Sequence, residues 1–355
     1  MRRRPRSLHP FAWWLWGGLV GAGAMRLTNP LLTATLIGAV ALVVAARRRE
    51  APWARSFAMF LRLGLLVLVV RVALVALFGV RVPGHVLVDV PEVGLPGWAA
   101  GVGLGGPVTA EALLGGLYEG LRIVGLLAAV GAANALAEPH RLLRALPPAL
   151  SEAAVALTVA ISLAPQAGAA GAAVRDARRL RGRPTRGIAA VRGVALPVLE
   201  GALDRSVALA ASMDSRGFGR LAGVDGRARR VRAALAAFGM LGLAVGAYGL
   251  LDGGARRVAG LALFGLGAVL VTVALTVRAG GPHRTRYRPD RFGWPEWSVV
   301  SSGLAVFAGL MVAGRSAGAL AAPVAPPWLP PLPLLPVLVV LLAAAPLFTT
   351  PEPPR

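Results

Sequence analysis

The stretch SMDSRGFGR, Ser212–Arg220, closes a long Ala- and Leu-rich run with an arginine followed by a glycine. A second stretch upstream, RDARRLRGRP at Arg175–Pro184, ends in the same way. Both lie within residues 175–232, which carry fourteen Arg against five acidic residues. Each stretch thus ends a predicted helix in Arg-Gly, and both helix ends lie in a strongly basic region. This pattern predicts a surface to which another protein binds.

Composition places this surface in a membrane protein. The chain has 355 residues, of which 56% are hydrophobic and only 15% are charged. Its mean hydropathy is +0.66. Soluble domains are about a quarter charged, and several apolar runs here approach the roughly 20 residues that a spanning helix needs. The sequence therefore predicts an all-α polytopic integral membrane protein.

The net charge of +22 has a topological explanation. All 38 basic residues are Arg, and they cluster between the apolar runs. The positive-inside rule puts such clusters on the cytoplasmic side of a membrane. We therefore expect the arginine clusters to lie beside the lipid bilayer and not to bind a nucleic acid.

Several kinds of chemistry are excluded by missing residue types. The chain has no Cys, hence no disulfide, thiolate nucleophile or thiolate metal site. It also has no Lys, which rules out a P-loop. Its four His are isolated in sequence, without an HExxH spacing. We expect no metal and no cofactor, and any ATP used must be bound by another chain.

Eight apolar runs predict eight spans with both termini in the cytoplasm. Residues 1–25 combine a basic start with a short apolar core, as a signal peptide does. Their three Trp suit a membrane interface and favour a retained first span. The remaining runs are Leu31–Ala46, Phe57–Val80, Val108–Ala133, Ala233–Leu251, Val258–Val277, Val299–Ala313 and Leu332–Leu347.

The predicted organisation has three parts: N-terminal membrane helices over 1–134, a cytoplasmic region over 135–232 and C-terminal membrane helices over 233–355. Residues 81–106 are rich in Gly and Pro and form an external loop, whereas 278–297 carry five Arg and lie inside. The run over 153–164 is short, and a crossing there would put the basic region outside. We therefore expect this run to lie along the membrane or dip into it.

Charges inside the predicted spans need partners. Arg62 lies near a helix end and can snorkel to the interface, while Arg71 is nearer the middle. Glu119 and Arg122 are three residues apart, so we predict that they pair on one helix face. A buried functional carboxylate is the alternative for Glu119.

The two Arg-Gly stretches end predicted helices over Pro165–Gly182 and Leu196–Arg216. The second would be about 31 Å long, with one apolar stripe formed by Leu199, Leu203, Ala210 and Met213. Arg before Gly is an ordinary helix C-cap. Two such ends in one cytoplasmic insertion favour a further role, in which Arg181 and Arg216 pair with carboxylates of a partner.

These residues resemble the transmembrane (T) component of energy-coupling factor (ECF) transporters, the EcfT/CbiQ family. The two Arg-Gly motifs of that family are similar to DARRLRG (Asp176–Gly182) and ASMDSRGFG (Ala211–Gly219). LPVLEGALDRSVALA (Leu196–Ala210) and NPLLTATL (Asn29–Leu36) are also similar. The resemblance covers most of residues 27–220, and the spans after about residue 232 exceed those of many members.

The resemblance implies a non-catalytic scaffold in the cell membrane, with two long crossed coupling helices. Two ABC-type ATPase subunits, identical or different, would bind the coupling helices, and a membrane substrate-binding (S) component would take a vitamin or nickel or cobalt. The implied ATPase contacts are Arg181, Gly182, Arg216 and Gly217. Their flanks are Ala177, Leu180, Asp214, Ser215 and Phe218, with Leu180 and Ser215 at positions where the family often has Ala.

Two other classes of function stay open at this point. An integral membrane enzyme, such as a lipid-linked transferase, needs convergent acids, and the acids here are few and scattered. A channel or autonomous carrier needs charges inside the membrane, for which Arg71, Glu111 and Glu119 qualify.

Overall fold

The computed structural model describes residues 8–48, 56–78, 82–93, 104–147, 150–183, 187–218, 226–251, 257–276, 292–315, 320–324 and 330–351. The helices are α1 Pro10–Ala24, α2 Pro30–Arg47, α3 Ser56–Phe78, α4 Ala110–Leu136, α5 Pro139–Ala145, α6 Ser151–Leu180, α7 Ile188–Ser215, α8 Gly226–Leu251, α9 Arg257–Thr276, α10 Trp294–Ala313, α11 Leu334–Leu341 and α12 Pro346–Thr349. Two strands, β1 Val86–Val93 and β2 Leu104–Thr109, form one antiparallel hairpin. Most of the loop predicted at 278–297 falls outside the described residues.

The chain is a mostly helical multi-pass membrane protein, as the composition predicts. Seven helices in the described part of the chain are long and apolar enough to cross a membrane: α2, α3, α4, α6, α8, α9 and α10. The first predicted span, α1, has 15 residues, and the last is divided into α11, a 3-10 turn and α12. The predicted count of eight spans stays a prediction.

The chain divides into two compact units. One comprises Met1–Leu142 with Asp290–Arg355, and the other comprises Leu143–Pro289. The first unit thus joins the N-terminal helices to the last ones, whereas the second holds α6, α7, α8 and α9. The division predicted from the sequence at 134 and 232 stays a prediction.

In the first unit, helix α1 packs between α4 and α10. It runs antiparallel to α4, since Gly17 lies against Ala133 and Gly21 lies against Leu126. It runs parallel to α10, where Gly303 lies against the backbone of Trp16. Trp13 and Trp16 are buried in the helix packing, whereas Trp14 is exposed.

Glycines on α1 set how closely α4 approaches, and adjacent positions make a matched test. A Cβ on Gly17 would lie 2.7 Å from Ala133 Cβ, whereas a Cβ on Gly18 would have nothing within 4 Å. We expect Gly17→Leu to cost about 1–3 kcal/mol of stability through overpacking and Gly18→Leu to cost little. Thermal unfolding in detergent measures both, and equal losses would contradict this packing.

The NPLLTATL stretch begins α2 with two connections. Asn29 is fully buried, and its side-chain oxygen accepts a hydrogen bond from the Leu31 amide at 3.0 Å. Its side-chain nitrogen donates to the Pro331 carbonyl at 2.7 Å. Pro30 occupies the first turn, where its missing N–H costs nothing. Asn29 therefore caps α2 and joins this helix to the segment that precedes α11.

Most of the β-hairpin lies in the predicted external loop at 81–106, of which residues 94–103 fall outside the described residues. The Thr109 hydroxyl accepts a hydrogen bond from the Ala112 amide and caps α4. Glu111, in the first turn of α4, accepts bonds from the His85 amide at 2.8 Å and lies 2.9 Å from His85 Nδ1. Glu111 therefore belongs to the hairpin junction at the helix end, and not to the middle of a span.

In the second unit, α8 and α9 form a close antiparallel pair. A Cβ on Gly242 would lie 3.1 Å from Gly267 Cα, and one on Gly246 would collide with the Phe264 backbone. Small residues allow membrane helices to approach in this way. The pair accounts for the predicted spans at 233–251 and 258–277.

The helix starts predicted at Pro165 and Leu196 are wrong. Pro165 lies inside α6, which begins at Ser151, and Pro197 lies inside α7, which begins at Ile188. Each proline removes one backbone hydrogen bond, but Ala- and Leu-rich turns on both sides continue the helix. Both helices are therefore longer than the sequence pattern predicted.

Candidate functional site at two Arg-Gly helix ends

Helix α6 ends in a Schellman motif at the first Arg-Gly. Gly182 has a φ of +65°, the left-handed conformation that glycine adopts without strain. Its amide donates to the Arg179 carbonyl at 3.1 Å, and the Arg183 amide donates to the Arg178 carbonyl at 3.0 Å. Arg181 is the C-cap residue, with its amide bonded to the Ala177 carbonyl at 3.2 Å.

Helix α7 ends in the same motif at the second Arg-Gly. Gly217 has a φ of +72°, and its amide donates to the Asp214 carbonyl at 2.8 Å. The Phe218 amide donates to the Met213 carbonyl at 2.9 Å. Arg216 is the C-cap residue. Phe218 is in the position where an apolar side chain commonly accompanies this motif.

The helix-cap interpretation of the two Arg-Gly pairs is thus correct for the backbone. Glycine and backbone amides satisfy the last carbonyls, so capping makes no use of either guanidinium. Arg181 and Arg216 are exposed, and neither side chain has a hydrogen-bond partner among the residues that the structure describes. Both cations are consequently available to carboxylates of another protein.

The residues that flank the two ends are exposed as well. Ala177, Asp214 and Ser215 face outward, and Leu180 is 89% exposed. Ser215 donates its hydroxyl to the Ser212 carbonyl at 2.9 Å, within its own helix. An apolar side chain as open as Leu180, next to a free arginine, suits the centre of a protein contact.

The two ends are far apart. Gly171 of α6 faces Val198 of α7, and Arg178 faces Gly193, so the helices run antiparallel. Arg181 therefore lies near the start of α7 and Arg216 at its end. With 28 residues in α7, the separation is about 42 Å. A small domain is about 30 Å across, so the two ends lie farther apart than the width of one small domain.

A glycine that the sequence analysis did not single out sets the contact between α6 and α7. Any Cβ on Gly193 would collide with the Arg178 guanidinium, whose Nε is buried without a hydrogen-bond partner in the described structure. The two residues are fifteen apart in sequence, and no spacing rule joins them. Only the antiparallel packing brings them together.

The stripe predicted on α7 is exposed. Leu199 is 61% and Leu203 is 66% exposed, and Leu196 and Val207 continue the same face at 72% and 70%. Four large apolar residues exposed on one face of a helix are typical of a surface that another protein or the membrane covers. This face is therefore a second candidate contact, lying between the two Arg-Gly ends.

The pairing predicted for Glu119 is wrong. Glu119 forms an ion pair with Arg71 of α3, and Arg122 donates to the Met25 carbonyl. The two side chains of the ion pair are 45% and 54% exposed. Contact between α3 and α4 puts a cation from the neighbouring helix beside Glu119, which an i,i+3 rule within one helix cannot foresee.

A group of three or more His, Cys, Asp or Glu side chains that could hold a metal ion is absent from the described residues. A scan against protein-family models and a search of curated protein sequences give no match to this chain. The fold and the site together define a multi-pass helical membrane protein with two exposed, arginine-bearing helix ends.

Glycine at both C′ positions is testable by substitution. A Cβ would meet nothing within 4 Å at Gly182 or Gly217, so backbone conformation alone decides the effect. We expect Gly182→Val and Gly217→Val to fray the helix ends, costing about 1–2 kcal/mol each, while Asn is tolerated better because it adopts the left-handed conformation. Hydrogen exchange of the Arg183 and Phe218 amides measures the fraying, and equal protection in the Val and Asn variants would contradict it.

Proposed function

We propose that this chain is the transmembrane scaffold (T component) of an ATP-driven energy-coupling factor importer. The single observation that carries the proposal is the pair of identical Arg-Gly ends. Each ends a long helix in a Schellman motif, and each leaves an exposed guanidinium. An arrangement with one such end at each extremity of α7 suits two ABC-type ATPase subunits, one bound at Arg181 and the other at Arg216.

Chain direction supports a cytoplasmic position for α6 and α7. Arg141 donates to the Leu8 carbonyl at 3.2 Å, and the His9 ring lies 5.3 Å from that of Phe292. The segment between residues 142 and 292 therefore leaves and re-enters the first unit at the same end of α1. It must cross the membrane an even number of times.

Helices α8 and α9, antiparallel and apolar, account for two crossings. Helix α7 carries Arg192, Glu200, Asp204 and Arg205 and is not apolar enough to cross. A crossing by α6 alone would make the number odd. The composition of α6 permits a span, but the parity argues that both helices stay on the side where their arginines belong.

The exposed stripe on α7 supports a second partner. In this proposal a membrane S component covers part of this apolar surface and supplies specificity for a vitamin or for nickel or cobalt. ATP hydrolysis in the ATPases moves the two helix ends, and the motion of α6 and α7 reorients the S component. This chain then provides mechanical connection and no catalytic group, in the membrane of the cell with both termini in the cytoplasm.

Co-expression with candidate ABC ATPases and purification in detergent tests the proposal. We expect the intact chain to retain ATPase subunits through its cytoplasmic helices. If no ATPase is retained with any candidate that carries acidic residues in its coupling groove, the two Arg-Gly ends are helix caps only, and the proposed function is overturned.

The alternative is an integral membrane enzyme, such as a lipid-linked transferase, or a carrier that works alone. The observation in its favour is the Arg71–Glu119 ion pair between two apolar helices, because charges inside a membrane often mark a functional site. Loss of activity in Glu119→Gln, with full activity after charge reversal at Arg181 and Arg216, would favour this alternative.

A further inference from the structure

The first two turns of α8 carry an unusual concentration of positive charge. Arg227, Arg229, Arg230 and Arg232 fall within seven residues, GRARRVR at 226–232, and we call them the arginine collar. In sequence, the one carboxylate beside them is Asp225. At about 100° per residue, the four arginines are distributed around the whole circumference of the helix.

Three of the four arginines of the collar have little charge compensation from the part of the chain that the structure describes. Arg229 and Arg230 are exposed and Arg232 is half-buried, and none of the three is in an ion pair with a residue that the structure describes. The first turn of α8 contains no acidic residue, although the start of a helix favours negative charge. Arginines three residues apart also repel one another. Bound anions would relieve both effects.

The collar lies at the boundary of an apolar segment. Residues 233–251 follow it directly within the same helix and are uncharged. Their length, about 28 Å, matches the hydrocarbon thickness of a bilayer, about 30 Å. When this segment spans a membrane, the collar lies at the level of the lipid headgroups.

The distribution of the collar favours lipid over a protein partner. The glycine face of α8 packs against α9. Other sides of α8 are free, since Phe238, Met240 and Leu241 are exposed at 59–67%. A protein partner would require the arginines to share one face. Lipids surround a helix on all its free sides, and their headgroups would meet arginines in several directions.

We propose that the arginine collar binds the phosphate groups of anionic phospholipids at the end of α8. Guanidinium groups bind phosphate oxygens in pairs of parallel hydrogen bonds, and basic residues next to a span are attracted to an anionic leaflet. This site is independent of the ATPase contacts and of the proposed function.

The absence of cysteine makes a local measurement possible. Ala234 is exposed, one turn beyond Arg230, and Ala234→Cys gives the full-length chain a single thiol for a fluorophore. The labelled protein is reconstituted into phosphatidylcholine vesicles that contain doxyl-labelled phosphatidylglycerol or, at the same mole fraction, doxyl-labelled phosphatidylcholine. We expect quenching to report an enrichment of phosphatidylglycerol of about fivefold or more, the effect of a single arginine near the surface.

Two triple variants locate the effect. Arg229→Gln with Arg230→Gln and Arg232→Gln should bring the enrichment close to one. Arg175→Gln with Arg179→Gln and Arg183→Gln removes the same charge from the end of α6 and should leave it unchanged. Equal quenching by the two lipids in the unsubstituted collar, equal loss in both triple variants, or loss on adding millimolar inorganic phosphate would each overturn the proposal.

Discussion

Arg181→Glu combined with Arg216→Glu is expected to abolish the retention of ABC-type ATPases during purification in detergent. In the proposed complex, each substitution replaces a cation that would face partner carboxylates with a like charge. Losing one member of such a charge pair costs about 2–5 kcal/mol. Affinity should therefore fall by at least about thirtyfold for each end that is reversed.

The single variants add information that the double variant lacks. Because the ends are about 42 Å apart along α7, their effects on binding free energy should be additive. Each single reversal should weaken one ATPase contact and leave the other intact. Strongly non-additive losses would indicate that the substitutions act through unfolding of the helix pair, and not through two separate contacts.

Arg175→Glu with Arg192→Glu is the matched control. Both arginines are exposed, one on α6 and one on α7, and the change in net charge is the same. Neither residue lies at an Arg-Gly end, so ATPase retention should stay close to that of the unsubstituted chain. Equal loss in the control would show that general positive charge, and not the two helix ends, holds the ATPases.

Glu119→Leu is expected to give the largest loss of stability among substitutions in the spans. It leaves Arg71 as an unpaired cation between apolar helices. A charge at the centre of a spanning helix costs about 2.5–3.5 kcal/mol. The fall in the thermal unfolding midpoint of the protein in lipid nanodiscs measures the effect.

The double variant distinguishes loss of the pair from loss of either side chain alone. Arg71→Leu with Glu119→Leu removes both charges, and replacing a whole ion pair by apolar residues is often neutral or stabilising. We therefore expect the double variant to recover most of the stability lost in Glu119→Leu. Arg62→Leu, which removes an exposed arginine nearer the start of α3, should have little effect. A double variant as unstable as Glu119→Leu would contradict the pairing.

Local signals were sufficient for the class of protein and for the helix ends. Hydropathy depends on residues close in sequence, so it identifies most spanning helices without tertiary information. Arg181–Gly182 and Arg216–Gly217 likewise form their caps with residues of the same turn. Helix starts were harder to predict, since the turns around Pro165 and Pro197 continue despite a local breaking signal.

Sequence alone is sufficient to predict a helical membrane protein with two Arg-Gly helix ends, because composition and C-capping act over one to a few turns. Tertiary structure alone decided that Glu119 pairs with Arg71, that Arg178 faces Gly193 and that the two Arg-Gly ends lie at opposite extremities of α7. These relations join residues on different helices. Their physical cause is the close packing of helix surfaces, which no periodicity along a single helix encodes.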